Sequence, residues 1–310
     1  MSCLTMPARM LAAILTTLLF ALSGLSGRRL SNHLPGSQAN LLRLILAAAL
    51  LGSYAHLQGF GVGGPAFGWL FVSGCIGFGI GDLALFQAYP RIGTRRTMVL
   101  VQCLAAPIAA LSEWIWLGSV PGAAQALFGA IVLLGVGIAL MPGLTEAGPS
   151  HGLLVGGWFG TLAALCQAWG AVLSRKAYAV AEAQNFHIGG VSGGVNAAYQ
   201  RLLGGLVVAA VFVIYLKFRH RHGSAARRSN WRDAWPLVIA NGLCGPAFGV
   251  SCYQWALSAA PTSVVLPIVA TTPLVVMPLA HFIEGDKITL RTLLGGVLAV
   301  AGVVGLTTTR

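Results

Sequence analysis

Residues Gly81–Gly118 read GDLALFQAYPRIGTRRTMVLVQCLAAPIAALSEWIWLG, and residues Gly249–Gly285 read GVSCYQWALSAAPTSVVLPIVATTPLVVMPLAHFIEG. In the first stretch a polar-tipped apolar run ends in a short basic link, and a second apolar run carries a central Pro107. The second stretch is its relative. Gln87-Ala88 falls opposite Trp255-Ala256, Gly93-Thr94 opposite Pro261-Thr262, Pro107 near Pro273, and Gly118 opposite Gly285. Partners stand about 167 residues apart, roughly half the chain, which is the signature of a duplicated membrane domain.

Composition fixes the solvent. Of 310 residues 56% are hydrophobic and 8% charged, with mean hydropathy +0.80. A soluble domain carries about 25% charged residues, so lipid must cover this one. A helix needs about 20 apolar residues to cross the hydrocarbon. Ten such stretches follow one another: 8–27, 38–57, 66–89, 97–117, 123–141, 152–173, 197–216, 234–257, 262–283 and 291–308. Alternating polar and apolar strands are absent, against a membrane β-barrel. The fold expected is an all-α integral membrane protein of ten helices.

An odd number of crossings per repeat forces a geometry. Five spans leave the chain on the opposite side, so the second repeat inserts upside down about an axis in the membrane plane. The expected division is 1–142 for the first five-helix repeat, 143–151 for the joint, and 152–310 for the inverted second repeat. Residues 1–27 resemble a signal peptide, but Ser26-Gly27-Arg28-Arg29 after span one matches Leu173-Ser174-Arg175-Lys176 after span six. The duplication therefore keeps span one.

The formal charge is +12. Most of its lysines and arginines sit in links between spans, where they set topology, so nucleic acid is not an expected partner; lipid and a small solute are. Arg28, Arg29, Arg91, Arg95, Arg96, Lys217, Arg219, Arg221, Arg227, Arg228, Arg232, Lys287 and Arg291 fall on one side; Arg9, Arg175, Lys176 and Arg310 fall on the other. The positive-inside rule places the first set in the cytoplasm and both termini outside. The six cysteines make no CxxC pair, and all but Cys3 lie in apolar spans. They read as small core residues, and neither a metal nor a cofactor is expected. His220 and His222, in an arginine-rich link, read as a solvated basic face.

Span three is ridged by Ser73, Gly77 and Gly81, a spacing that lets helix backbones approach closely. The link 58–65, QGFGVGGP, is uncharged, and residues 177–196 read as a loop, with a lid as the sharper alternative. Asn241 and Gly245-Pro246 interrupt span eight; Pro267, Pro273 and Pro278 interrupt span nine. Prolines are tolerated in spans only where other groups satisfy the freed carbonyls.

Of seven acids, Asp82 and Glu113 fall inside spans, where an ionised group needs a partner or a job. Spans two and seven each open with one arginine, Arg43 and Arg201. Depth counting pairs Arg43 with Asp82 and Glu113 with Arg201. Such pairs either lock helices together or, if Asp82 or Glu113 takes up a proton, couple proton movement to flux. Gln102, Trp158, Gln167, Trp169, Asn241, Tyr253, Gln254 and Trp255 also lie within spans. Gln102, Asn241 and Gln254 could supply hydrogen bonds in a cavity and Trp169 a stacking face; the alternatives are interhelical contacts and interface anchoring. Trp114 and Trp116 read as belt residues.

Taken together, Asn40–Ala48, Tyr199–Gly205, Gly81-Asp82-Leu83, Ala88, Gly93, Pro107, Trp116-Leu117-Gly118, Gly129, Gly135-Val136, Ala256-Leu257, Pro273, Glu284-Gly285-Asp286 and Gly302-Val303 resemble the drug/metabolite transporter superfamily, in its EamA-type ten-span branch. The resemblance covers nearly the whole chain. It departs where the family has Gly-Glu after span four: here stands Gly118-Ser119, while Gly285-Asp286 keeps an acid. The resemblance implies a secondary transporter in a bacterial plasma membrane, with a cavity between repeats, both termini inside, small metabolites, amino acids or drugs as substrates, and export as its direction. A sugar-phosphate or nucleotide-sugar antiporter would want basic residues in the cavity, and the lysines all sit at links. An enzyme is not expected, since no HExxH or nucleotide loop is present. A non-transporting membrane protein is the remaining alternative.

Overall fold

The computed structural model describes residues 6–140, 150–219, 231–276 and 290–308. The readings placed on His220, His222, Pro278, Glu284, Asp286 and most of the joint 143–151 lie outside the described residues. Within them the chain is helical and contains no strand. In order come α1 (Met6–Leu30), α2 (Gly36–Gln58), α3 (Phe67–Ile92), α4 (Leu100–Leu117), α5 (Ala123–Leu140), α6 (Ser150–Ala183), α7 (Gly190–Arg219), α8 (Trp231–Ala259), α9 (Thr262–Val276) and α10 (Leu290–Thr308). Six are long and apolar enough to cross a membrane, and α5, α9 and α10 are shorter apolar helices. The outward faces agree: Leu11, Ile14, Leu18 and Leu22 on α1, and Val207, Val211 and Ile214 on α7, are exposed at helical spacing. Lipid is the solvent that such stripes require.

Backbone helix continues without a gap from Asp82 to Leu117, yet the chain doubles back within it. A straight helix of that length would run roughly 50 Å, whereas the rings of Trp69 and Trp116 lie 5.8 Å apart. A Cβ on Gly156 would meet Ile92, and one on Gly160 would meet Leu100. The reversal therefore falls between α3 and α4, at the basic link.

The repeats pack as a related pair. α2 lies against α7 and α5 against α10, while α6 lies along α3 and α4, and α1 along α8. Glycines set these distances. A side chain on Gly74 would strike the Arg201 carbonyl, and one on Gly204 would strike the Phe71 carbonyl, so α3 and α7 touch backbone to backbone. The α5–α10 seam is closed by Gly135 against Ala299 and Gly302 against Val132.

Each repeat then departs from regular helix at matching places. α3 widens into a π turn at Cys75–Gly81 and α8 at Leu243–Ala247. A π turn misaligns the backbone ladder and is commonest at functional positions. In α3, Asn40 Nδ2 donates to the Phe78 carbonyl at 3.2 Å. In α9 the helix turns at Ala270-Thr271. Pro273 cannot donate to Val269, and the Thr272 hydroxyl replaces it at 2.6 Å. Thr271 and Thr17 hydroxyls cover the Ile268 carbonyl at 2.7 and 3.3 Å. These are the substitute donors that proline-broken spans need.

Residues 177–196 are not the expected loop. α6 continues to Ala183 and α7 begins at Gly190. Alanines in AYAVAEA favour helix, and Gly194 lets α7 sit against the Ser251 carbonyl of α8. Asn196 then accepts from the Phe60 and Gly61 amides at 2.9 and 3.1 Å and donates to the Gly61 carbonyl at 2.9 Å. Gln200 donates to Gly61 and Gly63, both at 2.9 Å. The glycine-rich link 58–65, with Gly61 at φ 58° and Gly64 at φ 95°, is thereby pinned to α7.

Glu113, 2% exposed, is the second correction. Its partner is Arg175, at 3.0 Å, and not Arg201. The sequence puts Arg175 at a link, but the extra length of α6 carries it inside the helix and level with Glu113. The other carboxylate oxygen accepts the Thr262 amide at 2.7 Å, at the N-terminus of α9, and Arg175 also donates to the Leu257 carbonyl at 2.7 Å. One carboxylate thus ties α4, α6, α8 and α9, using the preference of helix N-termini for anions.

Two outcomes follow. Gly204→Val should cost about 3 kcal/mol in thermal unfolding of the detergent-purified protein, while Gly137→Val, beside which there is open space, should not; equal melting of the two would disprove the close-approach account. Glu113→Ala should cost about 3–5 kcal/mol because it strands Arg175, and exposed Glu182→Ala should cost nothing measurable.

Candidate functional site

α2 and α3 carry the first polar cluster. Arg43 lies one turn after Asn40 on the inner face of α2, and both are buried. Its Nε donates to Asn40 Oδ1 at 2.9 Å, one terminal nitrogen to Asn241 Oδ1 at 3.3 Å, and the other to Asp82. The Arg43–Asp82 ion pair expected from depth counting is present. Asp82 follows directly on the π turn of α3, which aims its side chain at α2. Asn241 Nδ2 donates to the Ser23 carbonyl at 2.6 Å and lies 3.1 Å from its hydroxyl. The guanidinium also stands 5.4 Å from the centroid of the Phe86 ring. Each of the three nitrogens of Arg43 therefore has a partner, as a buried cation requires.

This cluster faces a cavity of ≈ 160 Å³ bounded by residues of both repeats. Ser23 and Phe20 come from α1, Arg43 from α2, Gly77 and Asp82 from α3, Gln102 from α4, Gln167 from α6, Arg201 from α7, and Asn241 and Tyr253 from α8. Gln167 Nε2 donates to Gln102 Oε1 at 2.9 Å across the cavity wall. Most of the remaining wall is apolar or aromatic, including Leu85, Phe86, Val101 and Val250. A largely apolar hollow with a few placed polar groups suits a small organic molecule.

The structure brings Asp82, Gln102 and Asn241 together on this cavity, with Arg43 and Arg201 beside them. Glu113, Gln254 and Trp169 are not among the lining residues. Glu113 belongs to the four-helix tie. Gln254 is fully buried, and its Oε1 accepts the Tyr178 hydroxyl at 2.7 Å. Trp169 is 41% exposed and tilts against Trp116, whose ring Lys176 overlies at 6.0 Å from the centroid. Amphipathic rings beside a basic residue are what a membrane interface selects. Ser23 is the residue that sequence reasoning passed over: a serine within span one, three positions from Ser26, was the available signal. Among the described residues no group of three or more His, Cys, Asp or Glu side chains could hold a metal ion.

Comparison with known proteins gives two findings and one blank. The EamA-like transporter family matches residues 8–141 and again 154–308, which together span most of the chain. A solved structure, described only as a crystal structure of a protein, superposes with TM-score 0.69 over 95% of both chains at 17% identity, a likeness of fold. No curated protein matches the chain. With two family matches laid over a helical membrane fold and a cavity bounded by both repeats, the chain belongs to the EamA-like transporter family and is a membrane transporter of the drug/metabolite type.

Proposed function

We propose that the protein is a secondary active exporter of a small metabolite, amino acid or drug, working by alternating access and coupled to protons at Asp82, in a bacterial plasma membrane. The observation that carries this reading is the placement of the Arg43–Asp82 pair on a cavity bounded by both repeats, next to the two π turns. Asp82 is the more accessible partner, with 17% of its side chain exposed against 9% for Arg43. A carboxylate that is buried, paired and still reachable from the cavity is the group that can exchange a proton during transport. Gln102 and Asn241 would orient the solute, and the apolar wall would hold its body.

Repeats that meet at a central site, with broken helices beside it, are the parts that rocking carriers use. The orientation favoured here is both termini outside, since Arg28, Arg29, Arg91, Lys217, Arg219 and Arg291 share one side.

Purified protein in liposomes should move at least one member of a panel of labelled amino acids, organic acids and cationic dyes, faster with a proton gradient than without. Absence of flux for every solute tested would remove the transporter reading. In the same assay Asp82→Asn should abolish the gradient's effect; if its flux equals wild type at every pH, Asp82 is not the coupling group. A carboxy-terminal green fluorescent protein fusion should stay dark in cells, and bright cytoplasmic fluorescence would reverse the assigned orientation.

A further inference from the structure

Arg201 differs from every other buried cation described above. It is 4% exposed and lines the cavity, yet its Nε has no partner and its guanidinium makes no hydrogen bond or ion pair among the described residues. It stacks on the Phe78 ring, whose centroid lies 5.2 Å from Cζ, and Tyr253, Tyr178 and Asp82 act on it electrostatically without hydrogen-bonding it. A cation–π contact of this kind offsets only part of what a desolvated guanidinium loses. The Tyr253 hydroxyl, on the same cavity, is likewise buried without a partner. Two orphaned donors on one hollow are an unusual burden for a native interior.

The duplication shows what stands opposite each arginine. Arg43 and Arg201 occupy matching positions in α2 and α7. A Cβ on Gly245, in the π turn of α8, would lie 3.6 Å from Arg43; one on Gly77, in the π turn of α3, would lie 3.0 Å from Arg201. Gly81 and Gly249 open the two related stretches, so the residue after each is also matched. In the first repeat it is Asp82, which neutralises Arg43. In the second it is Val250, buried at 4% exposure and lining the same cavity. The second arginine has a hydrophobic residue where the first has its carboxylate.

We infer that Arg201, aided by the Tyr253 hydroxyl, binds the carboxylate of a substrate that carries a single negative charge on an apolar or aromatic body. The charge count supports one charge: Arg43, Asp82 and Arg201 leave the cavity with a net single positive charge. The planar guanidinium fork matches a carboxylate in two-point geometry, and the phenol supplies a third donor. The apolar residues Leu85, Val101 and Val250 favour a hydrocarbon body over a sugar. Basic residues in the cavity, which the lysines do not provide, are thus supplied by arginine, but in a number that suits a monoanion and not a phosphate dianion. This assignment rests on the transporter reading for its word substrate, though binding can be tested without flux.

The test is equilibrium binding of labelled benzoate, phenylacetate and hexanoate to the purified full chain in detergent. At least one should bind saturably, with benzamide and inorganic phosphate failing to compete. Arg201→Gln should weaken that binding at least ~10-fold, as expected for loss of a hydrogen bond to a charged group. Val250→Asp should do the same by a different route, because it restores to Arg201 the internal carboxylate that Arg43 already has. That variant also guards against misfolding, since it should melt no lower than wild type. The inference is overturned if none of the three acids binds, if benzamide or phosphate competes equally, or if both variants bind the acid as wild type does. Flux of a neutral or cationic solute without acid binding would leave a transporter with the wrong substrate class. Acid binding without flux of any solute would keep this site and remove the carrier.

Discussion

A guanidinium cannot be left dry without an energetic penalty of several kcal/mol. This molecule has two of them near its middle, and much of its architecture is the answer to that constraint. Asn40, Asp82 and Asn241 converge on Arg43 from three helices. For them to do so, α3 must widen at Cys75–Gly81, and the carbonyls freed there must find other donors. Glycines at 74, 77 and 204 exist because the helices carrying the arginines must lie against the widened turns at backbone distance. The polar centre and the glycine seams are one solution to one problem.

Glu113 shows the same rule applied to rigidity. Its two oxygens are consumed by Arg175 and by the Thr262 amide, leaving it nothing with which to meet a solute. Asp82 and Glu113 look alike in the sequence, each a lone acid in an apolar span. Environment separates them: one borders a hollow, the other fills a joint.

The division between what could and could not be read in advance follows from range. Ten apolar runs, the duplication and the Arg43–Asp82 pair depend on hydrophobicity, spacing and helix rise, all of which act along the chain. The Glu113 partner, the helical course of residues 177–183 and 190–196, and the outward position of Trp169 depend on packing between helices. Composition made 177–196 look like a loop, since Gly190, Gly193 and Gly194 disfavour helix in water. Against α8, Gly194 is instead what permits close contact. Depth counting likewise fixes height in the bilayer but not azimuth, so it could rank Arg201 level with Glu113 without revealing that they face different neighbours. The π turns leave no local mark beyond glycine or proline, and neither residue is specific to them.

The exchange of Asp82 for Val250 between matching positions reaches beyond recognition. In a perfectly duplicated inverted carrier, the form open to one compartment is the form open to the other turned over, and the two have equal energy. A charge neutralised in one half and bare in the other removes that degeneracy. On the alternating-access and anion-site proposals above, an empty protein of this kind should rest with unequal populations facing its two compartments, and a bound anion would redistribute them: a built-in imbalance written by one side chain.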